Sequence, residues 1–221
     1  MAFENWYEPY ERTQAYLTFP DAEKLLRKVF YYLFDMPTGT HVPFEDNRCP
    51  RVRLVKRLFW DDARPLDQRI PTPEEKLSII YDPEKPDAAP TLKGYRMFPQ
   101  MAVLQAQEKA QTRINAFMGY AQASNPFKSE LSVVFRTLCN TSYDSNTKDY
   151  ALSRSWAITS DIMAALAGLN MGVGVGTFYF DRKQNAECGI RYITDDAHNV
   201  GYQLVMCLTI MGDKLGEMPV T

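Results

Sequence analysis

A chain of 221 residues, 45% of them hydrophobic, is long enough to bury one substantial core and too apolar for disorder throughout. Its 25 Lys and Arg stand against 27 Asp and Glu, so a formal charge of −2 leaves no strong field of either sign with which to hold free duplex DNA over the whole surface. No run approaches the roughly 18 consecutive apolar residues that span a bilayer, and MAFENWYEPYERTQAYLTF carries acidic residues where a signal peptide needs basic and then apolar ones.

The composition therefore reads as a soluble, unsecreted protein: an N-terminal arm over 1–19, a single domain over 20–214 and a C-terminal tail over 215–221. Cys49, Cys139, Cys188 and Cys207 are irregularly spaced, without a C-x-x-C pair and with only two histidines in the chain. A structural zinc site is not expected on that basis, and reduced, mostly buried thiols are.

Six aromatics, Phe3, Trp6, Tyr7, Tyr10, Tyr16 and Phe19, crowd the arm without helical or strand periodicity. So much aromatic area calls for a surface to pack on, either the arm's own domain or a neighbouring subunit. Pro20 then suits a first helical turn, Asp21 and Glu23 suit its positive end, and Leu25, Val29, Tyr32 and Leu33 follow at helical spacing. This predicts a helix ending near Asp35.

Most of the chain's fourteen prolines fall in the next sixty or so residues, which excludes long regular elements there and predicts loops at 38–50, 60–75 and 83–94. Two short strands are expected between them. RVRLVKRLF (51–59) alternates Val52 and Leu54 with Arg51 and Arg53, and KLSIIYD (76–82) ends at Pro83.

MAVLQAQEKAQ (101–111) reads equally as strand or helix, whereas TRINAFMGYAQ (112–122) and ELSVVFRTLCN (130–140) read as strands, the second covered on both faces. The link ASNPFKS suits an antiparallel return. In the segment ending at Asn170, two adjoining stripes at helical spacing, Leu152, Trp156, Thr159, Met163, Leu166 and Ile158, Ile162, Ala165, Leu169, predict one long helix lying across a sheet. Strands follow at TFYFD (177–181), CGIRYI (188–193) and VGYQLVMCLTIMG (200–212). The fold class is α+β: an antiparallel (mixed) sheet with an N-terminal helix and one long helix packed on it, long loops and an extended N-terminal arm.

Gly172, Gly174 and Gly176 imitate a phosphate-cradling loop, but such glycines follow a strand and open a helix. Here they follow a helix and precede a strand, which assigns them to helix termination and close strand approach. With only His41 and His198 as imidazoles, the one nucleophilic arrangement is Cys188 or Cys139 with His198, and neither has a recognisable context. Asp195, Asp196 and His198 with Asp181 offer hard-metal donors for a metal-assisted hydrolase, although TDDAHN also reads as a polar hairpin turn. Asp61 and Asp62 read as solvated loop acids. The cluster Arg48, Arg51, Arg53, Lys56 and Arg57 is the basic concentration of the chain, placed on the expected strand where it would face a polyanion, an acidic neighbouring subunit or solvent.

In order of elements the chain resembles the tail-terminator (tail-completion) and head–tail connector proteins of tailed bacteriophages. The resemblance lies in a helix like PDAEKLLRKVFYYLF, a strand like LSVVFRTLCNT, a helix like RSWAITSDIMAALAGLN closed by GVGVGTFYF, and the hairpin RYITDDAHNVGYQLVMCLTIMG. It implies a non-enzymatic virion structural protein that forms a ring, commonly a hexamer, between tail tube and neck, assembled in the host cytoplasm. The implied partners are copies of itself and the tube and neck proteins, with no cofactor, no membrane and no specific nucleic acid; DNA would at most pass through the ring lumen. The long arm and the large proline-rich 60–95 region depart from that pattern. Interface candidates by position are Trp6, Tyr7 and Tyr10, Arg51, Arg53 and Arg57, and Trp60, Asp61, Asp62 and Arg64. The competing readings are the metal-assisted hydrolase and a monomeric binding or adaptor protein.

Overall fold

The computed structural model describes residues 22–34, 47–81, 96–98, 112–125, 128–144, 153–170, 176–181, 186–195 and 198–211. Helix α1 (Ala22–Phe34) buries Leu25, Val29 and Leu33 one turn apart, as the sequence periodicity predicts. Strands β2 (Thr112–Asn125), β3 (Lys128–Asn140), β4 (Gly189–Thr194) and β5 (Asn199–Met211) form an antiparallel sheet. A two-residue parallel strand, β1 (Met97–Phe98), adds to β2, giving the order β1-β2-β3-β5-β4 and a mixed sheet. The expected α+β class is present.

Register decides which side chains meet the helices. Ala116, Phe135 and Leu204 lie in one cross-strand row and Leu131 with Leu208 in another, and all join the core with Ile158, Ile162 and Leu166 of the long helix α5 (Arg154–Leu166). The residues in between point to the opposite face. There Asn115, Arg136, Gln203 and Arg191 form a polar row across four strands, in which Arg136 Nε donates to Gln203 Oε1 at 2.9 Å. A short helical turn, α4 (Thr141–Asp144), leaves β3, and buried Asp144 Oδ1 accepts from Ser155 N at 2.7 Å in the first turn of α5.

Of the two short strands expected before β1, one is a helix and the other is only partly extended. Residues 51–59 belong to α2 (Pro50–Phe59). The Val/Arg alternation at 51–54 is too short to separate period 2 from period 3.6, and the buried apolar set, Val52, Val55 and Phe59 with Leu54 and Leu58, has i, i+3, i+7 and i, i+4 spacing. Pro50 at the first helical position fits this reading.

The stretch 76–82 splits between α3 (Pro73–Ser78) and an isolated parallel bridge from Ile80 to Met97. A capping box starts α3: Glu75 N donates to Thr72 Oγ1 at 3.3 Å and Thr72 N donates to Glu75 Oε2 at 2.8 Å. Arg69 grips both oxygens of Glu75 at 2.7 Å.

The glycine reading is redistributed as well. Helix α5 is ended by Gly168, whose φ of +79° suits glycine and whose N–H donates to Phe178 O at 2.9 Å. Gly172 and Gly174 lie outside the described residues. Gly176 performs the close approach, since a Cβ there would sit 2.9 Å from Thr209 O. Segment 177–181 makes isolated bridges, Thr177 to Asn170 and Tyr179 to Cys207, in place of a regular strand. Residues 83–94 and 101–111, and all of the arm, lie outside the described residues.

A methyl group at Gly201 would overlap the backbone carbonyl of Thr137 on the central strand. Gly201→Ala is therefore expected to cost about 1–3 kcal/mol in urea unfolding, the range for overpacking a filled core. The Arg69 guanidinium, followed by the Thr72 backbone N–H, holds Glu75 down at about 2 from an ordinary 4.5. A folded-state pKa lowered in this way stabilises α3 above the unfolded value, and the contribution is lost as pH falls from about 4.5 towards about 2. Protection of the amides of residues 74–78, taken relative to the intrinsic exchange rate at each pH, should fall through that window in the wild type, and Glu75→Gln should flatten the response.

Candidate functional site

Two features outside the simple core stand out: a buried ionic junction where α2 crosses α5, and an aromatic outer edge of the sheet. The junction is read most directly from α5. Arg154 and Asp161 are seven residues apart, so they share the helix face that carries Ile158 and Ile162. Both are buried against α2.

The Asp161 carboxylate receives Arg53 Nε at 2.7 Å and also Arg57, which is four residues further along the same face of α2. Burial pushes the Asp161 carboxyl pKa up, against the opposing pull of Arg57 and then Arg53. Arg53 additionally reaches back to the carbonyls of Asn47 at 3.1 Å and Arg48 at 2.8 Å.

Arg154 ends α2. Its guanidinium donates to the carbonyls of Arg57 and Trp60 and, at 3.2 Å, of Asp62, while lying 4.7 Å from the centre of the Tyr143 ring. Burial lowers its pKa, yet an arginine remains protonated, so a positive charge stands at the negative end of the helix. Arg96 adds a second one, donating to Leu58 O at 2.8 Å and clamping the Asp61 carboxylate through both of its terminal nitrogens. The orphan carbonyls of α2 are thus collected by two arginines from distant parts of the chain.

This geometry corrects the basic-strand and loop expectations. Arg51, Arg53 and Arg57 are on a helix, and they face inward: Arg57 and Asp161 side chains are only 3% and 4% exposed, Arg53 is 20% exposed, and Arg51 lies 4.2 Å from the Tyr32 ring. Lys56 of the same cluster is buried and donates to Asn47 Oδ1 and Leu66 O, each at 3.1 Å. Asp61 is an ion-pair partner of Arg96, not a solvated acid. Asp62 is exposed and accepts from Arg64 N and Gln68 Nε2 at 3.0 Å each.

Trp60 packs edge-on to Phe59 and donates Nε1–H to Arg69 O at 2.8 Å. Of the first-loop candidates, Arg64 remains well exposed, in a loose 3.9 Å pair with Asp67. Trp6, Tyr7, Tyr10, His41 and Asp196 lie outside the described residues.

The metal and thiol expectations meet other partners. Asp195 is ion-paired to Arg113 of β2 and starts the polar turn between β4 and β5, its N–H donating to Asn199 O at 3.0 Å. Among the described residues no three His, Cys, Asp or Glu side chains gather as metal ligands. Cys139 is wholly buried, its Sγ 3.5 Å from Thr112 Oγ1, and burial pushes its pKa up to about 12, with Asp144 adding to the shift. His198 is exposed. Cys188 instead faces Cys207.

At the far side of the sheet, Gly176, Tyr179 and then β4 flank β5 in succession, and beyond them no further strand pairs among the described residues. Four large apolar side chains are exposed among the described residues, and two of them are on this edge: Tyr192 at 58% and Phe180 at 38%. Tyr192 stands edge-on to Tyr202 at 5.6 Å, and Tyr202 stands edge-on to Trp156 of α5 at 4.9 Å. The outermost ring is therefore rigidly supported from the helix layer.

Comparison with protein-family models, with curated proteins and with solved structures finds no match for this chain.

The junction escaped the sequence reading because basic residues on a short segment look solvated until their counter-ion is known. Arg154 and Asp161 within an apolar stripe were the available signal. Removing Asp161 takes the shared carboxylate away from two arginines, one of them fully buried, so Asp161→Ala is expected to destabilise the fold by about 3–5 kcal/mol. Arg53→Ala should cost clearly less, because Arg57 still neutralises the carboxylate; equal losses in urea titrations would contradict the asymmetry.

Proposed function

We propose that this chain is a ring-forming structural subunit of a tailed-bacteriophage virion, a tail terminator or neck connector that caps the tail tube and joins it to the head. The observation that carries the reading is the outer edge of the sheet. An edge strand offers unpaired backbone groups that another chain can extend, and natural proteins ordinarily blunt or cover such edges. Here Tyr192 and Phe180 stand exposed on it, with Tyr192 backed by Tyr202 and Trp156.

Rigid, half-exposed aromatics are the side chains that most often anchor protein interfaces. A cyclic ring needs a second and different surface on each subunit. Tyr31 on α1 and Leu77 on α3, the other two exposed apolar side chains among the described residues, supply candidates for it, together with the aromatic arm. No helix is long and apolar enough to cross a membrane among the described residues, in keeping with partners that are proteins: other copies of the chain, the tail tube and the neck, in a virion built in the host cytoplasm.

Light scattering of the full-length protein over a concentration series tests this. A closed ring, six subunits by resemblance, is expected. Tyr192→Asp should weaken subunit association by about 2 kcal/mol or more, as loss of an interface anchor does, and removal of residues 1–19 should weaken it further. A protein that stays monomeric at every concentration and binds neither tube nor neck components would move the assignment to a monomeric adaptor.

A further inference from the structure

The sheet's outer edge contains a pair of thiols that the assembly reading does not use. Cys188 immediately precedes β4 and Cys207 lies on β5, where its backbone N–H and carbonyl both bond to Tyr179 at 3.1 and 2.9 Å. Their sulfurs are 3.2 Å apart, and both cysteines are free and buried. A disulfide holds its sulfurs about 2.05 Å apart, so an approach of only about 1.1 Å separates this pair from a covalent bond. Cys139, beside Thr112, and Cys49, just before α2, lie elsewhere in the fold.

We propose that Cys188 and Cys207 are a built-in disulfide site: the folded protein converts the pair to an intramolecular disulfide on meeting a hydroperoxide, and the bond staples β5 to the start of β4. The inference stands on this geometry alone and does not depend on the assembly reading.

Ala186 and Glu187 beside Cys188 are exposed, whereas Cys207 is on an interior strand, so the oxidant reaches Cys188 first. The Cys188 sulfur attacks a peroxide oxygen and the O–O bond breaks. A sulfenic acid forms, and the departing oxygen leaves as water with the thiol proton. The Cys207 sulfur then attacks the Cys188 sulfur; the S–S bond forms, the S–O bond breaks, and hydroxide leaves as water with the Cys207 proton. Two thiols are oxidised by two electrons, and one hydrogen peroxide is reduced to two waters.

Burial pushes the Cys207 thiol pKa up, with the Cys188 contact adding to it, so the thiolate is scarce and the second step is slow. These features describe a site that stays reduced in a reducing cytoplasm and closes gradually in an oxidising medium, which differs from a fast peroxide sensor.

The test uses the full-length folded protein treated with hydrogen peroxide, then denatured, alkylated and digested without reduction. The expected result is a peptide pair linked through Cys188 and Cys207, a fall from four titratable thiols to two, a higher Tm, and reversal of all three by dithiothreitol. Cys188→Ser should keep its three thiols under the same treatment. Retention of four thiols by the folded wild type would overturn the proposal. So would their loss to sulfinic acids, to bonds between chains, or to bridges with Cys49 or Cys139. The wild-type measurement decides by itself should the Ser variant fold poorly.

Discussion

Asp161 is buried between two guanidinium groups, and the arrangement of the helices over the sheet follows from the need to keep it there. Taking a carboxylate and an arginine out of water costs several kcal/mol per ion, and their attraction repays the cost only with good geometry and full hydrogen bonding. The junction draws its partners from four parts of the chain: Arg53 and Arg57 from α2, Asp161 and Arg154 from α5, Arg96 from the approach to β1, and Asp61 from the loop after α2. Shifting α2 along α5 by one turn would leave only one of Arg53 and Arg57 against Asp161, which disfavours registers that the apolar contacts alone would tolerate.

Arg154 extends the same constraint to helix termination. The carbonyls at the end of α2 need donors, and the negative end of the helix favours a cation. Arg154 supplies both to Arg57 O and Trp60 O, and Arg96 does so for Leu58 O. In consequence the loop beginning at Trp60 is anchored at its first residues, with Asp61 held by Arg96 and Trp60 hydrogen-bonded to Arg69. A segment whose proline content excludes long regular elements is tied down by ion pairs and a capping box.

Locking the charged residues of α2 inside changes where the surface of interest lies. The basic concentration is structural, and the outer edge of the sheet carries exposed Tyr192 and Phe180, with Tyr192 backed by Tyr202 and Trp156.

The long periodic elements were legible in the sequence: α1, β2, β3, α5 and the β4–β5 hairpin all appear where the spacing of their apolar residues places them. Each runs long enough, or carries enough buried positions, for its period to be unambiguous. The short elements were not. Val52 and Leu54 against Arg51 and Arg53 satisfy a strand and a helix equally over four residues, and only the sheet and α5 packed beside them make the helical choice the buried one. For α3 the Thr72–Glu75 capping box was present in the sequence, and the apolar Ile79 and Ile80 outweighed it.

The composition and periodicity of this chain by themselves determine an α+β domain with a helix across an antiparallel sheet, because apolar spacing is a local property that burial reads directly. Only the tertiary structure decides which arginines are surface and which are core, which acid answers which base, and which two of four cysteines meet. Those pairings join residues up to about a hundred positions apart, Arg57 and Asp161 among them, and no local pattern encodes a partner that distant.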